Sequence, residues 1–423
     1  MKRALVVGTG RVALGVAGEL LRDAGMTVTF VGRNAAMVDH LQRVGRYRLQ
    51  LLCGSTATNR EITGVDALHV LDPRLATAIE AADLVVTAVG ATNLTTVADL
   101  LVEPLRRRAR PLDVIAFENH HGAAGTLRSA FAEHGFDATD GRIGLAGALV
   151  SRAVTAIEGA PGDSHPLTVI GDPIRDVLVE RAGLVGRLPL VDGLHAVDSF
   201  HAYAQRKLYV FSAGHATAAY LGRLKGYRFV HAAVRDPEIR AAVLEAMREG
   251  QSGVAAEHGA AFAAFVGPPG RAERAAAGNV LDDGDTARYS GPAAAALDAI
   301  LERFANGALH DPVERVGRDP RRKLATDDRL LGAARMAGDA GIVPRGLMLA
   351  AAAALCFDDA GDPSSSVLRH SVDAEGVTST LVRHCGFGER SGLAQAVSDA
   401  WLRLTGGWQP RSELLSLERH LWA

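Results

Sequence analysis

The chain has 423 residues, 48% of them hydrophobic, and its 46 Lys and Arg against 48 Asp and Glu leave a formal charge of -2. That length suits two domains rather than one small core, and the even charge balance excludes a general attraction to nucleic acid or anionic lipid, so any anion recognition must be local. The three cysteines, Cys53, Cys356 and Cys385, show no CxxC spacing, which argues against a disulfide framework and a thiolate zinc site and fits a reducing cytoplasm.

The opening MKRALVVGTG carries two basic residues, but its apolar run breaks at Gly8 and no small-residue cleavage site follows, so it does not read as a signal peptide. No later stretch of about 18 apolar residues could span a bilayer. Residues 4–7 form a short apolar run, glycines follow, and residues 13–21 resume with helical periodicity before a β-rich run at 27–31. This is an opening βαβ unit. Further strands are expected at 83–89 and 114–117, separated by Ala- and Leu-rich helical stretches. Alternating β and α signals imply an α/β domain with a doubly wound parallel sheet.

Beyond about Val191 the strand signals fade, and Ala, Leu and Arg dominate segments such as 200–224 and 237–247. The division is therefore drawn at 1–192, a dinucleotide-binding domain, and 193–423, a mostly α-helical substrate and catalytic domain. The segment 267–292 contains GPPG and a DDGD cluster and reads as a surface excursion between helices.

The run V-V-G-T-G-R-V-A-L-G places Gly8, Gly10 and Ala13 in a G-x-G-x-x-A pattern between strand and helix. Gly8 permits the tight turn, Gly10 leaves room for a pyrophosphate, small Ala13 lets helix pack on strand, and the helix N-terminus favours the phosphate charge. Arg11 and Val12 complete this cofactor turn. The second strand ends Phe30-Val31-Gly32-Arg33-Asn34, without the carboxylate that accepts from both ribose hydroxyls of NAD. Arg33 instead offers a planar, permanently charged donor for a 2'-phosphate, and Asn34 stands beside it. NADP(H) is thus expected over NAD(H), with NAD as second choice. Ala88, Val89 and Gly90 reach the same sheet edge and join the expected cofactor contacts.

In R-K-L-Y-V-F-S-A-G-H-A, residues 206–216, a regular helix would set Lys207, His215 and Ser212 at about 0, 80 and 140 degrees, within one arc. Apolar neighbours point in several directions, so Lys207 would sit on a helix buried on nearly every side. Burial lowers a lysine's pKa and makes it a usable general base near neutral pH.

With K-L-Y-V-F-S-A-G-H-A-T-A-A-Y-L-G-R-L-K-G, the run D-P-V-E-R-V-G-R-D-P-R-R-K-L from Asp311, and Glu118-Asn119, the chain resembles the mannitol-1-phosphate 5-dehydrogenases, within the polyol-specific long-chain dehydrogenases. The likeness runs in order along nearly the whole chain. It implies a Rossmann-type N-terminal domain, a helical C-terminal domain, and metal-independent hydride transfer between a nicotinamide and a polyol, phosphorylated or free, or its keto form. In the family's K-x-x-x-x-N-x-x-H motif the lysine is the acid/base, and asparagine and histidine orient the substrate oxygen; Lys207, His215 and Asn119 match, whereas Ser212 stands where the family has asparagine. Asn119 is also placed beside the cofactor.

The resemblance further implies substrate contacts from Arg152, Arg303, Asn306, Arg315 and Arg318. A second departure lies at residues 144–152, where Arg152 is kept but two acidic positions become Gly147 and Ser151. Two other readings stay open: the same fold acting on a cyclitol or a specialised-metabolism sugar, or a non-catalytic NADP(H)-binding sensor. No metal site is expected, because His120 and His121 have no HExxH-like partner. A cytoplasmic monomer or homodimer without membrane or nucleic-acid partners completes the expectation.

Overall fold

A computed structural model describes residues 2–118, 122–138, 141–159, 167–263, 292–388 and 391–406. The chain folds as two compact units, Met1–Phe200 and His201–Ala423.

In the first unit, strands β1 (Arg3–Val7), β2 (Thr27–Gly32), β5 (Val65–His69), β6 (Leu84–Thr87), β7 (Leu112–Ala116) and β8 (Ile143–Val150) run parallel. With β11 (Val177–Glu180) and β12 (Leu194–Val197) they form one eight-stranded sheet, ordered β12-β11-β8-β7-β6-β1-β2-β5. The chain order reverses direction at β1 and β6, and ligands of open α/β sheets bind outside the carboxyl ends of strands at such a switch point. Separate apolar clusters cover the two faces, one built around Leu14, Phe30 and Val86, the other around Val85, Leu101 and Phe131. That is why β6 and β7 read as unbroken apolar runs.

The sheet departs from the parallel expectation at one edge, where β11 pairs antiparallel with β8. A second, four-stranded sheet was also not anticipated: β3 (Arg46–Cys53) and β4 (Thr56–Thr63) form a hairpin, and β10 (Thr168–Gly171) and β9 (Val154–Glu158) continue it in the order β4-β3-β10-β9. The burial of β3 alternates, with Tyr47, Leu49 and Leu51 inward and Arg46 and Arg48 outward, as a one-sided strand requires.

The second unit is helical. Its long helix Pro237–His258 begins at Asp236, whose carboxylate accepts from the backbone N–H of Glu238 and Ile239, with Pro237 in the first turn. Helix Arg345–Leu355 is buried from Gly346 to Leu355, and its free N–H groups at Gly346 and Leu347 donate to the Glu249 carboxylate at 2.7 and 2.8 Å. Helix Phe200–Arg206 runs on through a widened, π-helical turn at Lys207–Ser212 into helix Ala213–Leu224. Gly250 lets the long helix cross this turn, because a Cβ there would stand 1.9 Å from the Tyr209 carbonyl oxygen. Among the described residues no helix is long and apolar enough to cross a membrane. The expected surface excursion lies outside the described residues, except for Pro292, which opens helix Pro292–Phe304.

Candidate active site

The glycine turn follows β1 directly. The Gly8 N–H donates to the Val31 carbonyl at 2.8 Å, and Ala88 N–H donates to the Val7 carbonyl at 2.8 Å, so three strand ends close around it. Gly8 has φ +133°, and a Cβ would lie 2.3 Å from the Ala88 carbonyl oxygen. Position 8 therefore rejects every side chain, whereas a Cβ at Gly10 would meet nothing within 4 Å. That open space over a helix N-terminus fits a pyrophosphate. Gly8→Ala is expected to destabilise the first unit by about 1–3 kcal/mol or more and to abolish dinucleotide binding, read by calorimetric titration with cofactor.

The helix behind the turn begins with a second widened turn, Ala13–Ala17, entirely buried. Side chains meet the carbonyls beside it: Tyr47 donates its hydroxyl to Leu14 at 2.5 Å, and Arg152 donates Nη1 to Gly15 at 2.7 Å. Arg152 is a fully buried ion-pair partner of Glu19 at 2.6 Å, with Nε on the Ile174 carbonyl at 2.8 Å, and so is anchored against the helix behind the glycine turn.

At the adjoining edge, Glu118 is buried and accepts from the N–H groups of Val89 and Gly90, both at 2.8 Å. It holds the Ala88-Val89-Gly90 turn, with Gly90 at φ +88°. Asn119, like His120 and His121, lies outside the described residues. Arg33 and Asn34 are exposed after β2; the Asn34 side chain caps helix Ala35–Val44 through the Met37 N–H at 3.0 Å. Arg11 donates to the Thr155 carbonyl at 3.2 Å. At Gly147, an added Cβ would press on the Phe200 ring at 3.2 Å, and the carboxylate beside this backbone comes from Glu180, whose Oε2 accepts from the Gly147 N–H at 3.3 Å.

In the second unit Lys207 opens the widened turn and is half-buried. Burial, then the nearby Arg303 and Arg329 guanidiniums, pushes its ammonium down to about 8. A turn closed by i to i+5 bonds is wider than a regular helical turn, so the 140 degrees expected between Lys207 and Ser212 on a regular helix does not hold here. Wide turns of this kind recur at functional sites and have no local sequence signature.

His215, one turn further on, has a 20% exposed side chain whose Nε2 lies 3.3 Å from Asp311 Oδ2. Its ring stacks on Phe304, centroids 4.8 Å apart and planes 12° apart, and tilts against Phe211 at 6.0 Å. Burial lowers the His215 pKa, against the opposing pull of Asp311. Arg303 lies over the Phe211 ring at 4.7 Å. Lys207, Phe211, His215, Arg303 and Asp311 thus form one connected site within the second unit.

Of the other expected substrate contacts, Asn306 caps the short turn Gly307–Leu309 through the Ala308 N–H. Arg315 grips both oxygens of Asp311 at 2.6 Å. Arg318 is exposed, and among the described residues its guanidinium has no ion-pair partner. Lys323, in the same basic run, is buried and donates to the carbonyls of Val316 and Arg318. Among the described residues no group of three or more His, Cys, Asp or Glu is placed to hold a metal ion.

The profile of the mannitol dehydrogenase Rossmann domain matches residues 2–193, and that of the mannitol dehydrogenase C-terminal domain matches 199–266 and 288–400. The chain belongs to the mannitol dehydrogenase family. Its curated relatives include the mannitol-1-phosphate 5-dehydrogenase of Geobacillus thermodenitrificans, 31% identical over 95% of this chain and 99% of that one. A second, from Thermoanaerobacter pseudethanolicus, is 28% identical over 97% and 100%. Among solved structures, the Pseudomonas fluorescens mannitol 2-dehydrogenase ternary complex with NAD and D-mannitol superposes with TM-score 0.74 at 17% identity, covering 99% of this chain and 94% of that one. A D-sorbitol dehydrogenase in substrate-free form gives 0.72 at 15%, covering 97% and 94%. These two show the shared fold. As a mannitol dehydrogenase family member the chain is a polyol oxidoreductase acting on CH–OH groups, with a Rossmann-type domain for a nicotinamide cofactor.

Asp311, Glu118 and Tyr47 were missed as functional residues. The first two already stand inside quoted motifs, Asp311 at the head of D-P-V-E-R and Glu118 before Asn119; no signal marks Tyr47.

Proposed function

We propose that the chain interconverts a polyol or sugar phosphate and its keto form with NADP(H) in preference to NAD(H), using Lys207 as the acid/base. Dinucleotide binding is assigned to residues 1–192 and the proton chemistry to 193–423. The observation that carries the reading is Lys207 itself, half-buried, with burial and the charges of Arg303 and Arg329 bringing its pKa to about 8, where both protonation states are populated at working pH.

Gly8, Gly10, Arg11, Val12 and Ala13 hold the pyrophosphate, and Ala88, Val89 and Gly90 line the cofactor's other side. The nicotinamide, when bound, takes up or supplies the hydride. Lys207 Nζ accepts the hydroxyl proton in oxidation and returns it in reduction. Asn119 and Ser212 hold the reacting oxygen and His215 orients the substrate beside it, the hydroxyl of Ser212 offering one donor where an amide would offer two. Arg303 and Asn306 face the polyol, and Arg318 with Arg315 meets a phosphate; the relatives named for mannitol 1-phosphate support this last point. The protein works as a cytoplasmic monomer or homodimer.

A panel of free and phosphorylated polyols and ketoses, followed by absorbance of the reduced cofactor, tests the proposal. Turnover of fructose 6-phosphate with NADPH supports it, and inertness across the panel despite cofactor binding would favour the sensor reading. Arg33 supplies the charge for the 2'-phosphate, so Arg33→Asp is expected to move the NADPH to NADH preference toward NADH by about tenfold or more in kcat/KM. An unchanged ratio removes Arg33 from cofactor choice.

A further inference from the structure

Asp311 is held from two sides. Its backbone is pinned to residues 228–230 by the bonds Val230 N–H to Asp311 carbonyl, 2.9 Å, and Val313 N–H to Arg228 carbonyl, 3.1 Å, around an isolated bridge between Phe229 and Pro312. Its side chain is 12% exposed and takes both Arg315 bonds. Burial pushes the carboxyl up, but His215 and Arg315 outweigh it and keep it ionised. An ionised carboxylate only accepts.

The His215 ring is fixed by its stack on Phe304 and by Phe211. Besides Asp311, the charged groups that act on it are Arg315 and Arg303, both cations. Cations and burial together resist an imidazolium, so the ring carries one proton, and the nitrogen facing a pure acceptor must be the one that bears it.

We propose that Asp311 is a positioning residue that fixes the tautomer of His215, with the proton on Nε2 and the Nδ1 lone pair left to accept from a substrate hydroxyl beside the reacting one, whose own proton goes to Lys207. This rests on the reading of His215 as a substrate-orienting residue. It gives the site a polarity: His215 can only accept, so the reacting oxygen, as alcohol or as ketone, shares its proton with Lys207 and takes its other hydrogen bonds from the remaining donors.

The test is imidazole nitrogen and N–H proton resonances of the full chain labelled at histidine, near about pH 8, where the neutral ring dominates, with His215→Gln used to assign the signal. The expected wild-type result is a protonated Nε2 with a hydrogen-bonded, downfield N–H resonance. That resonance is lost in Asp311→Ala and regained in Asp311→Glu. A proton on Nδ1 in the wild type overturns the proposal even where a variant does not fold, as does an N–H resonance unmoved by Asp311→Ala. In turnover, Asp311→Ala is expected to lose at least about tenfold in kcat with the cofactor KM unchanged. Full kcat in Asp311→Ala beside an inactive Lys207→Ala sinks the positioning role and leaves the site reading standing; full activity in Lys207→Ala sinks the site reading, and the tautomer is then judged by the resonances alone.

Discussion

Lys207→Ala is expected to lower kcat by about 10²–10⁴-fold while the dissociation constant of the nicotinamide cofactor changes by less than about twofold. The separation follows from where each function is built. The glycine turn that receives the dinucleotide lies in the first unit, at Gly8 and Gly10, and Lys207 stands in the second. A methyl group in place of the amine removes the proton acceptor and the repulsion from Arg303 and Arg329, and an unchanged melting temperature is the control for folding. Loss of activity then reports chemistry rather than unfolding. Activity within about threefold of wild type would take lysine out of the reaction.

The pH dependence has a definite sign. Alcohol oxidation needs the neutral amine, so kcat/KM for oxidation should rise with pH, about tenfold per unit while the amine is protonated, and level off above about 8. Reduction needs the ammonium and should run the opposite way, flat below that value and falling above it. The two limbs crossing at one pKa identify a single group. Arg303→Ala should raise that pKa, because it removes a cation whose repulsion lowers it, and both limbs should move to higher pH together.

The features legible in the sequence were those set by neighbours in the chain. The βαβ opening needs only a strand, a glycine turn and a helix in succession, and β1, the turn at Gly8 and β2 stand where the periodicity put them. Lys207 and His215 were legible as a motif, but their relative placement was not. The long helix crosses the widened turn at Lys207–Ser212 closely, at Gly250 over Tyr209, a contact between distant parts of the chain that no spacing rule carries. The basic run after Asp311 shows the same limit. In sequence Arg315, Arg318 and Lys323 look equivalent, yet one grips a carboxylate, one is exposed, and one is buried on carbonyl oxygens. The hairpin of β3 and β4 was present as alternation in R-Y-R-L-Q-L but was overlooked beside the stronger parallel-sheet pattern.

Arg152→Met is expected to destabilise the first unit by about 3–5 kcal/mol, the cost of leaving one member of a buried ion pair alone. Arg152 and Glu19 have side-chain exposures of 0% and 2%, so water cannot rescue the abandoned carboxylate. Arg60 offers only partial relief, since it is 36% exposed and also engages Asp23 at 3.0 Å. Methionine fills similar volume but leaves the Gly15 and Ile174 carbonyls without their donor. Adding Glu19→Gln should recover part of the loss, because a neutral amide is cheaper to bury than a carboxylate. Amide hydrogen exchange across residues 13–23 reads it directly, with protection expected to fall in Arg152→Met and to return partly in the double variant. The widened turn behind Gly10 should loosen at the same time and weaken cofactor binding. Protection within about 1 kcal/mol of wild type in Arg152→Met would show that the helix under the dinucleotide site does not depend on this pair.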